Sequence, residues 1–243
     1  MLAFSNCAAI FQYMKAIVVL CTLLAANVIH AAELNQLTAE EKAAGWKLLF
    51  NGKDTSGWRQ YGKPSPPGPG WKVENGILKK LAKKRGGDII TMTTFNDFEF
   101  YWEWRLEPKA NNGIKYLVTE GRPNGPGHEY QMIDEEGGED IGRQTHLTAS
   151  FYDVLPPDPN KPLRKAGEWN FSRVIIKGNH VEHWLNGVKV LAYELGSPEV
   201  KAGIARSKFR NARGFGDKIQ GHIMLTDHGD EAWFRNVKIR ELN

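Results

Sequence analysis

The chain has 243 residues, 41% of them hydrophobic and 11% aromatic, and carries 32 Lys and Arg against 28 Asp and Glu, a net charge of +4. So slight an excess offers no electrostatic hold on a polyanion, which argues against a nucleic acid as partner. Both cysteines, Cys7 and Cys21, fall within the first 32 residues, so the rest of the chain has no thiol nucleophile, thiolate metal site or disulfide scaffold.

Met14-Lys15 opens a short basic segment, and the apolar run AIVVLCTLLAANVI that follows has the length of a signal-peptide core, ending at the small residues Ala31 and Ala32. Residues 1–32 therefore read as a signal peptide, with 1–13 an upstream extension, and 33–243 as one exported domain, periplasmic or secreted. The run is too short for a membrane span. Cys21 follows Val-Val-Leu, whereas a small residue normally precedes a lipidated cysteine, so a lipoprotein anchor is disfavoured. Lys15 is the leader's one charged residue, and without it the net charge is +3.

Residues 33–45 are the one predicted helix, with Thr38 as N-cap and Glu41 completing a capping box. Beyond them the signals are those of strands. WKLLF (46–50) is followed by Gly/Pro-rich loops. WKVENGILKKL (71–81) is a hairpin turning at Asn75-Gly76. FNDFEFYWEWRLEP (95–108) alternates, with Phe98, Phe100, Trp102 and Trp104 on one side and Glu99, Tyr101, Glu103 and Arg105 on the other. NNGIKYLVT (111–119), GHEYQMID (127–134) and HLTASFYDV (146–154) are further predicted strands. Paired strands then turn at Gly178-Asn179 and Asn186-Gly187, and two more surround Asp230. The expectation is an all-β, two-sheet antiparallel sandwich or jelly roll in a single domain.

The stretch GHEYQMID carries the chemistry. His128, Tyr130 and Met132 face one way; Glu129, Gln131 and Ile133 face the other. A carboxylate beside a carboxamide in mid-strand gains little from packing unless it is paired or used. Polar and aromatic residues that could share its face are Lys115, Asp134, His146, Tyr152, His183, Trp184, His228 and Arg235. A histidine near Glu129 would suit proton transfer at neutral pH. Trp71 and Trp184 could stack on the apolar face of a pyranose. The basic run KKLAKKR (79–85) reads as a solvated hairpin tip rather than a nucleic-acid patch. The acidic loop DEEGGED (134–140) lacks the spacing of a calcium loop, so a divalent cation beside Asp134 is a secondary possibility. No His/Asp spacing marks a zinc site.

GWKLLFNGKDTSGW, GWKVENGIL, NNGIKYLV, HEYQMID, the WLNG turn and the closing LTDHGDEAWFRNVKIREL occur in this order across residues 45–242. Together they resemble an exported bacterial family once catalogued as domain of unknown function 1080 and now described as 3-keto-disaccharide hydrolase. Leu117 stands where many members have arginine, and HLTASFYDV differs from the commoner TGALY segment. The resemblance implies a concanavalin A-like jelly roll acting on glycosides already oxidised at C3. A C3 ketone acidifies the C2 proton, so that a base, an enolate-stabilising group and an acid could cleave the C1–O bond by β-elimination. On that reading Glu129 and His228 are the acid/base pair, and Lys115, Gln131, Asp134, Tyr152, His183, Trp184 and Arg235 bind substrate, an oxidised glycoside. The competing class is a non-catalytic carbohydrate-binding jelly roll, which would need aromatics and amides but no Glu/His pair.

Overall fold

Regular alternation of apolar and polar residues obliges each strand to bury one side, and two such sheets bury theirs against each other. The computed structural model describes residues 34–121, 127–139 and 141–242; the signal-peptide reading, which concerns residues 1–32, lies outside the described residues. A short helix, α1 (Ala39–Ala43), leads into the strands β1 (Lys47–Leu48), β2 (Trp58–Gln60), β3 (Trp71–Glu74), β4 (Ile77–Lys80) and β5 (Ile89–Thr91). Next come β6 (Phe98–Leu106), β7 (Asn111–Val118) and β8 (His128–Ile133). A 3₁₀ turn at Gln144–His146 precedes β9 (Asn170–Lys177), β10 (His180–Leu185) and β11 (Val188–Glu194). A second helix, α2 (Pro198–Arg206), leads to β12 (His222–Leu225) and β13 (Ala232–Glu241).

The larger sheet runs β11-β10-β9-β6-β13-β4-β3, with β1 also paired to β13; the smaller runs β2-β5-β12-β7-β8. All these pairings are antiparallel. This is the expected all-β two-sheet sandwich. Its core is aromatic. Trp102 of β6 stacks on Phe100 with ring centroids 4.8 Å apart and meets Tyr130 of β8 edge-on at 4.9 Å. Edge-on and offset contacts suit the ring quadrupole. Tyr130 also reaches Ser172 Oγ at 2.8 Å on β9, tying the two sheets together. With Tyr130 and Met132 committed to this core, period-2 geometry sends Glu129 and Gln131 to the opposite face of the smaller sheet.

Three expectations change. The N-terminal helix is only five residues long, although Thr38 and Glu41 do form the capping box. The helix α2 was not expected, because its one buried stripe is short: Val200 and Gly203 are its buried residues. It is started by Ser197 Oγ, which accepts the Val200 N–H, and by Pro198 in the first turn. Residues 146–154 are not a strand. Ala149 and Asp153 adopt positive φ (69° and 61°) and break the extended run. The segment still lies along β8, with Ala149 N donating to Gln131 O and Tyr152 N to Glu129 O. That arrangement puts Tyr152 beside Glu129.

Candidate active site

Glu129 lies on the outer face of the smaller sheet yet is only 5% exposed. Its carboxyl crosses the neighbouring strand at Gly113, where a Cβ would stand 2.1 Å from Glu129 Oε1. Only glycine admits it there. Directly across the ladder from Glu129 is Lys115. Tyr152 flanks it on the other side, with the Lys208 ammonium 4.4 Å from the Tyr152 ring centroid. Burial alone would raise the Glu129 pKa, but Lys115, then His228 and Lys208, outweigh it and hold the carboxyl below its usual value. Glu129 is therefore an ionised carboxylate with little water around it. Gln131 is buried one pleat along the same face and donates through Nε2 to Asn111 Oδ1 at 3.2 Å.

His228 comes from the turn joining β12 to β13. Its Nε2 is 3.8 Å from Glu129 Oε1, and its side chain is 40% exposed. It lines an open cleft of about 520 Å³ together with Arg85, Gly87, Asp88, Asp227 and Gly229. The turn is held rather than loose. Thr226 Oγ1 donates to Gly113 O at 2.9 Å, and Asp227 N donates to Asp88 Oδ1 at 2.8 Å. The Asp227 carboxylate makes a 2.8 Å ion pair with Lys80, whose side chain is fully buried. Removing one partner of a buried pair typically costs about 3–5 kcal/mol, because it strands the other charge. A dry carboxylate, a half-exposed imidazole and two ammonium groups thus converge on one side of the smaller sheet, beside an open cleft.

Residues 45–240 match the family described as the 3-keto-alpha-glucoside-1,2-lyase-like domain. The chain belongs to this family. A curated 3-keto-disaccharide hydrolase of Bacteroides thetaiotaomicron is 31% identical over 250 residues, covering 88% of this chain and 84% of the relative. Among solved structures, a candidate glycosyl hydrolase from Parabacteroides distasonis superposes with a TM-score of 0.78 at 34% identity, over 87% of this chain and 100% of its own. A second from the same organism gives 0.66 at 26% identity, over 81% and 99%.

In this 3-keto-alpha-glucoside-1,2-lyase-like domain the sequence-predicted site residues divide in two. Glu129, His228, Lys115, Gln131 and Tyr152 gather on the outer side of the smaller sheet. His183, Trp184, Arg235 and Asp134 do not join them. His183 faces the core and is fully buried, bonded to Tyr116 Oη at 2.7 Å and to Ala149 O at 2.8 Å. Burial pushes its pKa down to about 4, so at neutral pH it is an uncharged core group. Trp184, its neighbour in β10, faces the other side of the larger sheet, where it packs under the Arg173 guanidinium at 4.3 Å and donates through Nε1 to Glu182. Arg235 is on that same outer side, bonded to Glu103 at 2.6 Å and stacked on Trp169 at 4.0 Å. Trp71 is a buried core residue.

Asp134 ends β8 and caps a loop, accepting the N–H of Lys109 at 2.7 Å and of Glu136 at 3.1 Å. Of the carboxylates beside it, Glu135 takes the Thr148 N–H and Lys161, and Glu136 takes Lys165. Among the described residues no group of three or more His, Asp or Glu side chains converges as an ion site. His146 is held by Asp153 at 2.8 Å. Lys208 was missed by sequence reasoning, since one lysine in a polar loop carries no signal before the fold brings it to Tyr152. Because Trp184 lies on the opposite sheet, Trp184→Ala should leave kcat and KM within about twofold of wild type, within the scatter of surface substitutions. Steady-state kinetics on a 3-keto disaccharide checks this; a tenfold rise in KM would return Trp184 to the substrate site.

Proposed function

We propose that the chain cleaves the glycosidic bond of 3-keto glycosides by removing the C2 proton and eliminating the C1 substituent, with water then adding back to give net hydrolysis. The observation that carries this reading is the buried, ionised Glu129 between two lysines, with a histidine 3.8 Å away at an open cleft. The relative named as a 3-keto-disaccharide hydrolase supports the substrate class.

The chemistry divides among these groups. In a 3-keto sugar the C2–H bond is adjacent to the carbonyl, so its electrons can pass to O3 as an enolate when a base takes the proton. Glu129, ionised at neutral pH, is the base; a carboxyl held below its usual pKa carries no proton to give a leaving group. Lys115 and Lys208 supply positive charge beside the developing O3 oxyanion. The enolate then reforms the C3 carbonyl and a C1=C2 double bond as the C1–O bond breaks. His228, facing the cleft, delivers a proton to the departing oxygen. Water next adds at C1 of the enone and a proton returns to C2, which restores a 3-keto sugar and completes hydrolysis. The pair is a carboxylate and an imidazole, not the two carboxylates of an ordinary glycosidase.

The test is turnover of a 3-keto disaccharide and of its unoxidised parent in heavy water. Only the oxidised sugar should be consumed, and the released 3-keto product should carry deuterium at C2. Consumption of the parent at a comparable rate, or product without C2 deuterium, would point to direct displacement at C1. Binding of both sugars without turnover would make the protein a carbohydrate-binding module.

A further inference from the structure

The basic run 79–85 contains one lysine that behaves unlike its neighbours. Lys80, at the end of β4, is 0% exposed, and all three ammonium protons have acceptors: Leu81 O at 2.8 Å, Lys84 O at 2.9 Å and Asp227 Oδ1 at 2.8 Å. The other oxygen of Asp227 accepts the N–H groups of Gly86 and Gly87 at 2.7 and 2.8 Å, and its Oδ1 also takes the Gly229 N–H at 3.1 Å. Across the same seam Lys83 N donates to Gly229 O, and Asp227 N to Asp88 Oδ1. The residue between these clamps is His228. A fully satisfied buried ion pair is a poor source of stability compared with apolar packing, but it fixes geometry tightly. Here it binds residues 81–88 to the backbone on both sides of the imidazole.

We propose that Lys80 and Asp227 are positioning residues: they fix the backbone at 227–229 so that the His228 imidazole is held between Glu129 and the Arg85-lined cleft. This inference rests on the acid role given to His228 above. Proton transfer requires donor and acceptor within hydrogen-bond reach, and a displacement of about 1 Å can cost on the order of 100-fold. Neither residue need touch the sugar. Their effect should appear in kcat and depend on His228 being present.

The experiment is a double-mutant cycle read by kinetics and by NMR. Asp227→Asn keeps an acceptor for Gly86 and Gly87 but weakens the hold on Lys80. Lys80→Met removes the charge and keeps most of the volume. Each should lower kcat by about 10- to 100-fold with KM changed less than about threefold, and neither should lower it further in a His228→Ala background. The His228 imidazole Cε1–H resonance, assigned by its loss in His228→Ala, should shift or broaden in Asp227→Asn while the other histidine signals stay in place. Should Lys80→Met fail to fold, Asp227→Asn alone completes the cycle. Equal losses in both backgrounds, or an unmoved His228 resonance with unchanged kcat, would overturn the positioning role. A moved resonance with His228→Ala still fully active would leave the positioning intact and remove the catalytic assignment of His228 instead.

Discussion

Glu129→Gln should lower kcat on a 3-keto disaccharide by at least about 100-fold with KM nearly unchanged, because the amide keeps the shape of the carboxylate and loses its basic lone pair. The side chain is 5% exposed and lies across Gly113, so an isosteric amide fits where a larger or branched residue would not. Lys115 and Lys208 lower the proton affinity of Glu129, which by itself weakens a base. In the proposed mechanism the same charges stabilise the enolate oxygen, and because that interaction exists only after the proton has begun to leave, it would raise kcat. Two further results follow from this assignment. Substrate deuterated at C2 should react more slowly with the wild-type enzyme when proton removal limits the rate. The acid limb of kcat/KM due to Glu129 should lie below the ordinary glutamate value of 4.5, since a depressed pKa keeps the carboxylate ionised as pH falls through that range. Near-normal turnover by Glu129→Gln would sink the assignment. The base would then be sought at Lys115, because His183 is sealed in the core and His146 is bonded to Asp153.

Much of the fold was legible because strand periodicity and turn chemistry are local. Asn75 and Gly76 take positive φ (51° and 74°) at the hairpin where the Asn-Gly pair placed the turn. The alternation in 98–106 became nine residues of strand with its aromatic side in the core. The division of GHEYQMID into an inner and an outer side followed from the same period. Alternation within a strand gives no information on which of the two sheets the strand joins, and that is why His183, Trp184 and Arg235 lie apart from Glu129. His183 and Trp184 are adjacent in one strand, so they face opposite ways and only one could ever have met a substrate. Their strand, β10, lies in the larger sheet, so one is core and the other is on the far side of the sandwich. Arg235 is separated from Glu129 for the same reason, its strand pairing with β6 rather than with β7. Lys208 and the Lys80–Asp227 pair were invisible because each acts through a contact between segments distant in sequence. Leu117 has a local role instead. With φ at 53° it coincides with the irregular pairing of β7 and β12, and its backbone crowds Gly221 so closely that a Cβ there would be 2.5 Å from the Leu117 carbonyl carbon.

His228→Ala should lose about 10²–10⁴ in kcat on a 3-keto disaccharide, the range expected for a general acid, and its loss should depend on the leaving group. An alcohol departing from C1 as an alkoxide is a poor leaving group, so without a proton from His228 the C1–O bond breaks slowly once the enolate has formed. A phenol bearing strongly electron-withdrawing groups leaves readily as its anion and needs little help. On a 3-keto aryl glycoside of that kind the variant should recover most of the wild-type rate, while Glu129→Gln should remain impaired, because C2 proton removal is common to both substrates. The geometry supports this split: Glu129 is buried against the sheet, whereas the His228 side chain is 40% exposed and borders the open cleft where a departing sugar or phenol would lie. Measuring both variants on both substrates gives four ratios that separate the roles. If His228→Ala is equally slow on the aryl glycoside, His228 acts in proton removal from C2 and Glu129 serves to orient it. If Glu129→Gln is the variant rescued by the better leaving group, the two assignments exchange. Only the pattern with His228→Ala rescued and Glu129→Gln not rescued is consistent with a carboxylate that takes the C2 proton and an imidazole that gives one to the leaving oxygen.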